Sequence, residues 1–221
     1  MQIFRDIIKD LITICTLINT ILYLYSWVKN KGSAKTRYLA LFILSLFVTH
    51  SITMYTAYKG LNNLYVAHYY FWLQFLFLSL FYRKIFKPNQ KKWVFRLIVL
   101  VVTSLIIYYA LKPEKYFELS LYEIFITNVP LIFFSIIHLY NMLSDKESYF
   151  YINGAILVYI SSSTIVFFLG TFLMADATEH GISIETARNI WTIQNILYLF
   201  FLILFIVEWK KTIFKWKHLK K

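Results

Sequence analysis

The chain is expected to be all-α: an integral membrane bundle of seven transmembrane helices, with the N-terminus outside and the C-terminus cytoplasmic. Three observations predict this. Seven separate stretches are each long and apolar enough to cross a bilayer. Hydrophobic residues make up 59% of the 221 residues and charged residues 15%, whereas soluble domains sit nearer about half and about a quarter. The lysines and arginines also fall unevenly between the stretches. A water-soluble fold of this length would expose large apolar patches, and lipid covers that excess.

A crossing takes about 20 residues at about 1.5 Å each. The spans read as 7–28, 38–58, 64–82, 93–111, 119–142, 149–174 and 189–209, in a single domain covering 1–221. Runs such as "FLILFIV" and "LIVLVV" lack the alternation of membrane strands, so helices are predicted. No internal repeat is evident, and no cleavable signal peptide is expected, because the N-terminus runs straight into an apolar span without a small-residue cleavage site.

Span 1 carries Thr13, Thr16, Asn19, Thr20 and Tyr23 on one helical stripe, and the single cysteine, Cys15, reads as a buried, inert thiol. Span 2 holds His50 and ends in the short loop "KGLNN", which predicts a tight antiparallel pair with span 3, the bearer of His68 and Gln74. Span 4 opens at Trp93. Its Arg96 must snorkel to the interface, and with only Thr103 and Ser104 as mid-span polar groups it is expected to be the most lipid-exposed. Span 5 draws a stripe through Ser120, Glu123, Thr127, Phe134, His138 and Asn141, with Pro130 expected to kink the helix. Span 6 contains the Ser161–Thr164 run and Gly170, features that bring a helix close to a neighbour or bend it. Span 7 repeats the stripe with Trp191, Gln194, Asn195 and Tyr198. Trp27, Tyr58, Tyr82, Trp93, Tyr149, Trp191 and Trp209 are expected at headgroup level.

Of 23 lysines and arginines, 17 fall on one side of these spans. Positive loops stay cytoplasmic, which sets the predicted orientation. The net charge of +12 therefore reflects topology, and no nucleic-acid partner is expected. The basic, aromatic tail "KKTIFKWKHLKK" reads as an anchor on anionic lipid or, more sharply, a docking segment for a cytoplasmic protein.

Polar groups are costly in lipid and turn toward the bundle interior or a cavity. Asn19, His50, Gln74, Asn128, Ser161, Ser162, Ser163 and Asn195 all fall near mid-membrane. Glu123 stands out as a carboxylate more than one turn inside a helix, and His68 lies at similar depth, so a Glu123–His68 pair would satisfy both. For each polar residue taken singly, hydrogen bonding between helices is sufficient reason. As a set, His68, Gln74, Glu123, Asn128, Trp191, Gln194 and Asn195 outline a ligand pocket open to the outside. Asn19, His50 and Ser162 lie at midplane beside it.

Several chemistries lack their residues. Span 7 has no lysine for a retinal Schiff base. The histidines lie at different depths, and no His-Glu-x-x-His, phosphate loop, dinucleotide loop or Cys-x-x-Cys occurs. No enzymatic activity, metal or cofactor is expected. Few ionisable groups lie within the spans, so a neutral or lipophilic ligand fits better than an ion.

"YFYINGAILVYISSSTIVFFLGTFL" and "NIWTIQNILYLFFLILFIVEWKK" resemble the last two helices of uncharacterised bacterial seven-helix proteins. Those are similar to the membrane sensor modules of some histidine kinases. The resemblance covers the last third of the chain and rests on Asn153, Gly154, Tyr159, Ser161, Trp191 and Asn195. It implies a bacterial cytoplasmic (inner) membrane and signalling to a cytoplasmic partner, with no kinase domain expected after Trp209. The leading expectation is a receptor-like sensor module that binds a small neutral or lipophilic ligand. The alternatives are a small-solute transporter or channel, and a structural subunit of a membrane complex.

Overall fold

The computed structural model describes residues 2–29, 33–144, 149–180 and 184–214. Regular structure among them is helical: α1 (Gln2–Lys29), α2 (Ala34–Tyr58), α3 (Leu64–Ile85), α4 (Pro88–Leu111), α5 (Leu121–Ser144), α6 (Phe150–His180) and α7 (Ile184–Glu208). A 3-10 turn (Pro113–Phe117) and a π-helical turn (Trp209–Phe214) complete it. All seven helices are long and apolar enough to cross a membrane. The protein is thus an all-α, multi-pass membrane protein.

The helices overrun the apolar spans. α1, α2, α4 and α7 begin at residues 2, 34, 88 and 184 rather than 7, 38, 93 and 189, and α6 reaches residue 180 rather than 174. Hydropathy marks where lipid tails end. Backbone hydrogen bonding is internal to a helix and continues through the headgroups. At α4 the early start has a local cause: Pro88 takes the first helical position, where its missing N–H costs nothing, and the Gln90 side chain accepts the Lys87 N–H at 3.1 Å.

Two helices turn polar residues inward and apolar residues outward. On α5 the predicted stripe of Ser120, Glu123, Thr127, Phe134, His138 and Asn141 is buried, while Phe125, Phe133, Ile136, Tyr140 and Leu143 are exposed. On α1, Thr16, Asn19, Thr20 and Tyr23 are buried and Thr13 and Cys15 half-buried, so the thiol is less enclosed than expected. Only an apolar solvent makes this pattern favourable.

The chain groups into two compact units. One is Thr16–Lys146, with α3 at its centre against α2, α4, α5 and the 3-10 turn. The predicted tight α2–α3 pair is present. Its turn depends on Gly60, whose φ of 68° lies in the left-handed region. That conformation lets the Leu61 N–H reach Thr56 O and the Gly60 N–H reach Ala57 O, both at 3.0 Å, which satisfies the last carbonyls of α2.

The other unit is Met1–Cys15 with Glu147–Lys221 and is built on the α6–α7 pair. Glu208 ties its ends: Oε2 accepts the Tyr151 N–H at 2.8 Å and the Ile152 N–H at 3.4 Å, capping the start of α6 from the end of α7. Gly170 faces Trp191, where an added Cβ would stand 3.8 Å from the ring in ordinary contact. The tail beyond Phe214, and the loop cations Lys31 and Lys146, lie outside the described residues.

Candidate functional site

In the Thr16–Lys146 unit, α3, α4 and α5 join at a buried polar cluster. His68 sits in the second turn of α3 and Glu123 in the first turn of α5, since that helix starts at Leu121 rather than at residue 119. Glu123 is therefore less deep within its helix than expected, and the positive end of the helix dipole favours its carboxylate. The carboxylate is nevertheless fully buried, at 1% exposure.

The expected His68–Glu123 pair is formed, His68 Nδ1 against Glu123 Oε2. The Tyr109 hydroxyl of α4 donates to the same oxygen at 2.8 Å and lies 2.9 Å from His68 Nδ1. His68 Nε2 stands 2.9 Å from the Tyr116 carbonyl in the 3-10 turn. A carbonyl only accepts, so Nε2 carries a hydrogen. The short Nδ1–Oε2 contact then requires one further proton between two atoms that would otherwise repel. Whether that proton rests on the ring or on the carboxyl group, the pair has net charge zero, the form that hydrocarbon surroundings tolerate.

Aromatic rings enclose the cluster. Tyr116 stacks on His68 with centroids 5.3 Å apart, and Tyr109 meets the imidazole edge-on at 5.2 Å. The Tyr116 hydroxyl donates to Tyr69 at 2.7 Å. Burial, reinforced by that hydrogen bond, pushes the Tyr116 phenol up to about 12 and keeps it a neutral donor. Two polar atoms of the cluster have no hydrogen-bond partner among the described residues: the acceptor Glu123 Oε1 and the donor Trp72 Nε1. The Trp72 ring lies 6.3 Å from that of Tyr109.

Further ties follow along α5. Gln74 Nε2 donates to Asn128 Oδ1 at 3.2 Å, with both residues buried. Tyr82 and Ser135 share a hydrogen bond. Gln90 and Asn141 exchange two, Nε2 to Oδ1 at 3.2 Å and Nδ2 to Oε1 at 2.9 Å. Glu123 and Asn141 stand about 27 Å apart along the helix, so a buried polar column follows α5 through nearly the whole hydrocarbon depth.

Of the predicted pocket residues, His68, Gln74, Glu123 and Asn128 belong to this unit. Trp191, Gln194 and Asn195 belong to the other. There Gln194 is buried, and its Nε2 donates to Ser163 Oγ at 2.9 Å and to the Tyr159 hydroxyl at 3.2 Å. Trp191 packs edge-on to Phe167 at 5.6 Å, and Asn195 is half-buried. Ser163 is thus the hydroxyl of the Ser161–Thr164 run bonded to Gln194; Ser162 and His50 are half-buried and Asn19 is buried.

Sequence reasoning did not find Tyr109, Trp72 or the Tyr116 carbonyl. Span 4 offers only Thr103 and Ser104 at mid-depth, and a tyrosine at a span end reads as an interface anchor. The adjacent Tyr108 and Tyr109 near the end of the span were the available signal. No protein-family model, curated protein or solved structure matches this chain.

Proposed function

We propose that this is a membrane sensor module that takes a small neutral ligand at the His68–Glu123–Tyr109 cluster. The observation that carries the proposal is Glu123 Oε1, a fully buried carboxylate oxygen with no hydrogen-bond partner among the described residues. Its sister oxygen is held by His68 and Tyr109, which leaves Oε1 as the acceptor of the group that can take a further donor. Trp72 Nε1 is a buried donor likewise without a hydrogen-bond partner among the described residues, on a ring 6.3 Å from that of Tyr109. A hydroxyl or amide on an otherwise apolar molecule answers both, since each group donates and accepts.

Ligation that favours one arrangement of α5 about Pro130 would be reported to a cytoplasmic partner, as the predicted orientation and the sensor-module resemblance suggest. The shift can be no larger than the ligand's differential affinity for the two arrangements. The test is a thermal-shift screen of the purified full chain against neutral alcohols, amides and lipids. A hit that vanishes in both Glu123→Gln and Trp72→Phe supports the proposal. A chain that responds to nothing, in cells whose signalling survives both substitutions, sinks it.

A second reading draws on the buried α5 column from Glu123 to Asn141: a transporter for protons or a small solute. Uptake into liposomes, abolished by Glu123→Gln and by His138→Ala, would favour transport over sensing.

A further inference from the structure

We infer that the lipid-facing side of α4 is a binding site for one anionic phospholipid. On α4, Val94, Ile98, Val101 and Leu105 are buried and Tyr109 reaches the polar cluster. The other side of this helix bears two adjoining grooves. The first, about 270 Å³, is walled by Arg83, Lys91, Lys92 and Arg96 around Phe95. The second, about 660 Å³, starts at the same Phe95 and Arg96 and continues past Val99, Leu100 and Thr103 to Ile107.

Charge commits the first groove to an anion. It gathers four cations, and no Asp or Glu occurs anywhere between Leu11 and Pro113, so neither α3 nor α4 carries a counter-charge. The two guanidinium groups are held on ring faces, Arg83 over Phe95 at 4.8 Å and Arg96 over Trp93 at 5.3 Å. That placement presents planar forks suited to a phosphate at headgroup level.

Length and polarity commit the second groove to an acyl chain. From Arg96 to Ile107 the helix rises about 16 Å, about half of the ~30 Å hydrocarbon core. That is the depth of one leaflet. The wall exposes Phe95, Val99, Leu100 and Ile107. A free phosphate would fill the cationic end alone, and a neutral lipid the apolar end alone. An anionic phospholipid fills both.

The test is native mass spectrometry of the full chain in neutral detergent, with added dioleoyl phosphatidylglycerol or dioleoyl phosphatidylcholine. Phosphatidylglycerol is expected to be retained about tenfold more, since its one extra net charge is worth roughly fivefold for each cation close to it. Combined Arg83→Gln, Lys92→Gln and Arg96→Gln should remove that preference. Val99→Trp, which fills the apolar groove and leaves the cations intact, should lower retention about threefold or more. These positions are exposed or half-exposed, and unchanged helicity and elution volume show that each variant folds. Equal retention of the two lipids overturns the inference, as does a preference that survives either variant. Complete displacement by sn-glycerol 1-phosphate also overturns it, because the apolar groove would then have no part. So does self-association lost in Val99→Trp without any lipid preference, which would assign the face to a second copy of the chain.

Discussion

The proton shared between His68 and Glu123 predicts that the two partners are unequal in what their loss costs. In Glu123→Ala the imidazole keeps both nitrogens satisfied. Nε2–H still donates to the Tyr116 carbonyl at 2.9 Å, and the Tyr109 hydroxyl, 2.9 Å from Nδ1, donates to it in place of the carboxylate. The loss is then one hydrogen-bonded contact and a small void, about 1–2 kcal/mol. In His68→Ala the carboxylate keeps only Tyr109 on Oε2, Oε1 stays without a partner, and the Tyr116 carbonyl loses its donor. Stranding one member of a buried pair costs about 3–5 kcal/mol. His68→Ala should therefore be the more damaging by about 2 kcal/mol. The double variant should be no worse than His68→Ala alone, because the stranded carboxylate has gone with it. Unfolding of the purified chain in mixed micelles of dodecyl maltoside and SDS, followed by far-UV circular dichroism, measures all three. Equal losses in the two single variants, or a double variant whose loss is their sum, would refute the shared proton.

Other expectations are simpler. Gly60→Ala should destabilise by about 1 kcal/mol in the same assay, through left-handed strain alone, because an added Cβ meets nothing within 4 Å; Gly60→Asn should cost less. Glu208→Ala removes the acceptor for two N–H groups at the start of α6 and should cost about 1–2 kcal/mol, with Glu208→Gln nearer half of that; equal losses would mean that a neutral acceptor contributes nothing and the charge alone makes the cap. Asn141→Ala and Gln90→Ala should each cost about 0.6–1.7 kcal/mol, and together no more than the larger, because each amide is the other's partner; additive losses would show that the pair is not formed in the membrane.

The number of crossings, their order and the short α2–α3 turn were legible in the residues. So was the buried stripe of α5, because 3.6-residue spacing places Glu123, Thr127, His138 and Asn141 on one face without knowledge of any neighbour. The His68–Glu123 pair was legible too, because two ionisable groups at one depth in hydrocarbon have few other choices. Tyr109 was not: beside Tyr108 at the end of span 4 it is indistinguishable from the ring anchors that close other spans, and only the approach of α4 to α3 and α5 makes it a donor. Nor did the sequence tell Ser163 from Ser162 as the partner of Gln194, a choice made by one residue of helical rotation.

Solvation by lipid is a local, additive property of each stretch, so the residues alone determined that this chain spans a membrane seven times. Which side chains meet depends on how each helix is rotated, tilted and paired. In a bilayer no difference in hydrophobicity drives one helix face toward another. Packing and interhelical hydrogen bonds set that arrangement, and those exist only in the tertiary structure.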